Sequence, residues 1–297
     1  VADNLKNLVA RLGKRGPHRV LTGDLSFAGI PGKVYTPAEG NGIAGIAFGH
    51  DWRLGVRNYH GTLRHLASWG IAVAAPDTER GFLPNARGFA SDLETCLQIL
   101  AGVKLGTGSV SVSPNKLFLA GHGFGASCAV LAATGRSAQS NPKSGYHNQP
   151  SIAGVMAVYP SDTTPSPYEA AKQVDAPGLV LHPGSAAESQ YGDAKRMAAL
   201  WRGEVVYRTI EGAGSSGFHE AYGRKLLLGG GTPEFAKQDL VRALMVGFTL
   251  AESEGKYDKF RETNVKLKNT ETASQVELFR NLPEHMDTKQ LLAQLQF

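Results

Sequence analysis

Apolar residues along the chain gather into short runs bounded by glycine, proline and polar clusters. Seven runs read as strands, at residues 20–35, 43–48, 71–76, 116–121, 152–159, 178–182 and 205–210. Between most of them the apolar spacing changes to the three-and-four repeat of a helix, at 58–69, 86–100, 124–134 and 193–201. Near-continuous apolar strands alternating with helices predict an α/β fold with a mostly parallel, doubly wound sheet. Gly29, Pro31 and Gly32 interrupt the first run, which is expected to be an antiparallel pair. A helix over 234–251, with Phe235, Leu240, Leu244, Val246 and Leu250 as its apolar positions, closes the domain. Three glycine- or serine-rich stretches, 106–113, 135–151 and 229–232, are expected to be mobile loops. The connection over 159–176 is too short and proline-rich for a separate helical lid, so the cleft at the carboxyl ends of the strands is expected to be open.

Two appendages flank this body. Leu5, Leu8, Val9 and Leu12 share one face of an N-terminal helix within 1–19, with Lys6, Arg11, Lys14 and Arg15 elsewhere. An anionic membrane surface could hold such a helix, but its length favours docking on its own domain. The body spans 20–260. A tail over 261–297 carries Val276, Leu278, Phe279, Leu282, Leu291, Leu292 and Leu295, read as two short helices broken at Pro283. The tail is expected to pack on the body, on a protein partner or on a second copy of the chain.

Bulk properties narrow the function classes. A net charge of +5 over 297 residues is mild, and Lys and Arg are interspersed with acids, which argues against a nucleic-acid partner. Cys96 and Cys128 sit among apolar neighbours and read as buried thiols, not a disulfide. No apolar run reaches membrane-spanning length and no signal-peptide pattern is visible, so the reading is cytoplasmic, with export left open by the absence of an initiator Met. Histidines and acids show no compact metal-ligand spacing, and no phosphate-cradling loop is present; no metal and no cofactor are expected.

Candidate chemistry centres on the segment PNKLFLAGHGFGASCA, residues 114–129. It has the form of a strand entering a helix through a sharp turn, the device that lifts a serine nucleophile above a sheet. Gly121, Gly123 and Gly125 keep the turn, and Gly123 occupies the nucleophile's place. With GIAFGHDW, NYHGTLRHLASWGIAVAAPD and the closing MVGFTLAESEGKYDKF, this segment resembles cutinases, polyester hydrolases and the related dienelactone-hydrolase and platelet-activating-factor-acetylhydrolase groups of the α/β-hydrolase superfamily. The resemblance covers roughly residues 20–260. It implies the α/β-hydrolase fold and, were the catalytic residues present, a serine esterase.

The catalytic positions depart from that family. A serine hydrolase needs a nucleophile, a histidine to take its proton and a carboxylate to orient the histidine. By the resemblance the acid position falls on Ala187, with Glu188 beside it, and the histidine position on Ser215. His219 follows closely and is the candidate substitute for the base. Ser127 and Cys128 lie inside the helix after the turn and read as packing residues. The cleft residues implied are Gly49, His50, Asp51 and Trp52 after one strand, His122, Gly123 and Phe124 at the turn, and Asp77 and His182 at other strand ends. Free space above Gly123, beside amides at a helix N-terminus, is expected to hold an anionic or carbonyl group. The leading expectation is a pseudo-hydrolase that binds an acyl, ester or lipid-like ligand or a protein partner. The alternative is an active esterase or acyl-transfer enzyme with a non-standard nucleophile or activated water.

Overall fold

A computed structural model describes residues 4–137, 151–185, 192–222 and 233–282. Its centre is a nine-stranded sheet of order β1-β2-β4-β3-β5-β6-β7-β8-β9. The strands are β1 (Val20–Asp24), β2 (Gly32–Pro37), β3 (Gly40–Gly49), β4 (Ala72–Pro76), β5 (Val110–His122), β6 (Ile152–Val158), β7 (Gly178–Gly184), β8 (Val205–Glu211) and β9 (Thr270–Thr272). Strands β3 to β8 run parallel; β1 and β2 pair antiparallel at one edge and β9 antiparallel to β8 at the other. The antiparallel start is as the glycine and proline breaks predict. Two details differ from the expectations: residues 110–113 belong to β5 instead of a loop, and β9 adds an edge strand too short to show a periodic pattern.

Helices cover both faces, because the buried strands present apolar side chains up and down in alternation. On one face lie α1 (Leu5–Leu12), α2 (His60–Ser68) and α7 (Phe235–Glu254), packed on Ile46, Phe48, Val73, Met156 and Leu181. On the other lie α3 (Ala86–Gly102), α4 (Phe124–Ser137), α5 (Pro167–Ala171), α6 (Ala194–Ala199) and α8 (Gln275–Arg280), packed on Ala47, Leu119, Val155 and Val180. Among the described residues no helix is long and apolar enough to cross a membrane. Cys96 and Cys128 are buried free thiols in the second of these clusters.

Both appendages continue the body. In α1, capped by the Asn4 side chain, Leu5, Leu8 and Leu12 are buried against the face formed with α7. His65 of α2 donates from Nε2 to the Leu12 carbonyl (2.8 Å), satisfying one of the acceptors a helix leaves unpaired at its C-terminus. In the tail, Leu267 and Leu278 are buried on opposite faces of the sheet, whereas Val276 and Phe279 are exposed. Buried Arg208 of β8 reaches under this segment, donating to the Val265 carbonyl (3.0 Å) and the Thr270 hydroxyl (3.4 Å). Pro283 and residues 291, 292 and 295, together with 229–232 and most of 135–151, lie outside the described residues.

Burial holds the folded-state pKa of His65 below its ordinary value of 6.5, with Arg242 adding to the effect and Asp239 opposing it. The unfolded chain then binds more protons than the folded one once the pH falls below that ordinary value, so His65 contributes stability above pH 6.5 that is lost on acidification. Urea titrations between pH 7.5 and 5 should show that decline, and His65→Gln, which keeps a donor for Leu12, should flatten it.

Candidate functional site

The turn between β5 and α4 is built by close backbone approach. Gly123 has φ of 54°, in the left-handed region that glycine enters without penalty. A Cβ on Gly49, at the end of β3, would come within 2.9 Å of the Gly125 Cα at the start of α4. The strand end, the turn and the helix N-terminus therefore touch main chain to main chain, and the loop after β3 is drawn over Gly123.

That contact places the Asp51 carboxylate on top of the turn. Its Oδ1 accepts from the Phe124 N–H (2.8 Å) and from the Trp52 N–H (2.7 Å). A Cβ added at Gly123 would collide with this carboxylate. The space expected to be free above Gly123 is thus filled by the protein's own anion, and the Phe124 amide expected to receive a ligand is already in use. Charge, helix N-terminus and two donors match one another, which is the arrangement an anion finds favourable there.

A buried chain of hydrogen bonds runs from this point. The Asp51 N–H donates to the Tyr59 hydroxyl (3.1 Å), which lies 2.8 Å from Nδ1 of His122. His122 Nε2 lies 2.7 Å from the Ser215 carbonyl. A carbonyl can only accept, so Nε2 carries the proton and Nδ1 accepts from Tyr59. Burial pushes the Tyr59 hydroxyl well above its ordinary pKa, with the charge of Asp51 adding to the effect and the hydrogen bond from the Asp51 N–H opposing it. The Tyr59 proton is therefore held in place.

Several sequence-predicted residues meet here. Asp51, His122, Gly123 and Ser215, three loops apart in sequence, are joined by the contacts above. His219 is buried with its ring centroid 6.3 Å from that of His122, and its Nδ1 accepts from the Ala221 N–H (3.2 Å). Its loop is pinned by Glu220, which accepts from the N–H groups of Gly61 and Thr62 (2.8 Å each) and from Arg242 (2.9 Å). Glu220 was not foreseen, and nothing in the local sequence around it marks a contact so distant along the chain.

Other predicted cleft residues are placed elsewhere. His50 is fully buried, with both ring nitrogens 2.9 Å from carbonyls, those of Asp51 and Thr78. Phe124 stacks on Phe89 within the core beside α3. Asp77 accepts from the Val56 N–H (2.9 Å) and pairs with Arg80 (3.0 Å). His182 stacks on Tyr207, on the sheet face covered by α6, and burial lowers its pKa. Trp52 is half exposed and donates to the Phe82 carbonyl (3.2 Å). Ala187 and Glu188 lie outside the described residues.

The spare nucleophile candidates are committed to packing. Ser127 donates its hydroxyl to the Ser161 carbonyl (2.5 Å). Burial raises the Cys128 thiol above its ordinary pKa, the opposite of thiolate activation. Among the described residues no cluster of His, Cys, Asp and Glu could hold a metal ion. No protein-family model matches the chain, and no curated protein is significantly similar to it.

Removing the plug should leave two donors without their acceptor. Asp51→Ala is expected to lose about 1–3 kcal/mol of unfolding free energy, measured by urea denaturation. Formate or acetate at high concentration should restore part of the lost melting temperature in that variant and none in the unsubstituted chain, since bound ligand stabilises by mass action.

Proposed function

We propose that this chain is an α/β-hydrolase-fold protein that has given up serine-hydrolase chemistry and acts by binding an acyl, ester or lipid-like ligand, or a protein partner, through the loops at the carboxyl end of its sheet. The strand order, with β4 between β2 and β3 and the parallel run from β3 to β8, supports the fold reading. The left-handed turn at Gly123, and the convergence of the loops after β3, β5 and β8 on it, support it further. One observation carries the functional reading: the Asp51 carboxylate rests on the Phe124 amide, above the residue whose side chain would attack. In an active serine hydrolase that amide stabilises the developing oxyanion of the substrate. A fixed negative charge at the same donor repels such an oxyanion.

A second reading draws on the same carboxylate. Asp51 stands where an attacking group belongs, so it could activate water for an esterase reaction. The two readings separate cleanly in an ester panel. The first expects no labelling by a fluorophosphonate probe and no turnover of short or long acyl esters above background. Turnover at ordinary enzyme rates, abolished in Asp51→Asn, would establish the second and overturn the first.

Restoring a serine should not restore the enzyme. Gly123→Ser puts a Cβ at a positive φ and into the Asp51 carboxylate, so a loss of roughly 1–3 kcal/mol of stability is expected, without measurable esterase activity in a nitrophenyl-ester assay. Robust hydrolysis by that single variant would show that His219 or another residue already serves as the base.

A further inference from the structure

Beside the turn, where the loop after β3 meets the loop after β8, lies a cavity of about 290 Å³ whose walls include Arg53, Arg57, Arg80, Glu220 and Tyr222. Its charges do not balance. Arg80 is neutralised by Asp77 (3.0 Å), and Glu220 is already engaged by Arg242 and by the Gly61 and Thr62 amides. Arg53 has no carboxylate partner among the described residues; its guanidinium lies on aromatic rings, with its central carbon 4.1 Å from the centroid of Phe82 and 5.5 Å from that of Trp52. Arg57 makes no hydrogen bond or ion pair with another described residue. Two guanidiniums without a carboxylate partner among the described residues thus line one concavity, and the planar fork of each matches a carboxylate or phosphate.

Two exposed rings adjoin Arg53: Trp52 and Phe82 are 48% and 71% exposed, and the cation–π contacts of Arg53 connect them to the cavity it lines. The backbone of Arg53 also sits at φ of 56°, a conformation that costs a non-glycine residue energy and that recurs at ligand-binding segments.

We propose that this cavity binds a small molecule carrying an oxyanion, carboxylate or phosphate, with Arg57 and Arg53 on the anion and an apolar, preferably aromatic, body lying against Trp52 and Phe82. The site is separate from the elbow, where Asp51 stands in for an anion, and binding there is independent of whether the chain turns over esters.

Isothermal titration of the full chain with phenyl phosphate, benzoate, inorganic phosphate and benzyl alcohol tests this directly. At least one of the two aromatic anions should bind, with affinity falling as salt is raised, and benzyl alcohol should bind at least tenfold more weakly; comparing the two anions distinguishes a phosphate from a carboxylate ligand. Arg57→Gln should weaken binding by roughly tenfold or more without changing the melting temperature, because its guanidinium pairs with no other described residue. Trp52→Ala should weaken the aromatic anion more than inorganic phosphate. No binding of either aromatic anion, or wild-type affinity in both Arg57→Gln and Arg53→Gln, would overturn the proposal.

Discussion

Main-chain contact between Gly49 and Gly125 is the constraint on which this site depends. No side chain fits between the end of β3 and the start of α4, so the two backbones meet and the loop beginning at His50 has a single route across the turn. The first consequence is electrostatic. A helix N-terminus with unpaired amides faces that loop, and the loop delivers a carboxylate to it. The second is steric, since the carboxylate occupies the volume into which a side chain at position 123 would project.

From there the order spreads through hydrogen bonds that leave little freedom. The Asp51 N–H donates to Tyr59, the Ser215 carbonyl sets the tautomer of His122, and His122 links Tyr59 to the loop after β8. Glu220 then fastens the same post-β8 loop to the N-terminus of α2, with Arg242 of α7 as counterion. Helices from one face of the sheet and loops from its carboxyl end are locked into one network. Within it the described donors and acceptors pair with one another, and satisfied hydrogen bonds of this kind hold the loops rigidly in place.

Charge is distributed unevenly around that scaffold. Near the turn the negative group is paired with backbone donors, whereas a few residues further along the same loop Arg53 and Arg57 line a cavity and form no ion pair with a described carboxylate. One short segment, residues 50–58, therefore carries both the carboxylate over the turn and two of the arginines that line the neighbouring cavity.

Much of the architecture was legible in the chain itself. Apolar runs alternating with helical periodicity are dictated by burial, and burial is local in its demands: the strands of the parallel core, the helices between them and the docking face of Leu5, Leu8 and Leu12 all follow from it. The three glycines at 121, 123 and 125 likewise marked a tight turn, because the positive φ at 123 and the backbone contacts at 121 and 125 favour residues without a Cβ. What filled the turn could not be read, although GHDW holds the relevant Asp51, since an adjacent carboxylate signals nothing until the fold brings position 51 over position 123. Glu220 bonding α2, His182 turning to the α6 face and three arginines around one cavity are likewise contacts between segments far apart in sequence. Local pattern determines which face of each element is apolar; the meeting of loops is decided by how those elements pack, and that information exists only in the folded chain.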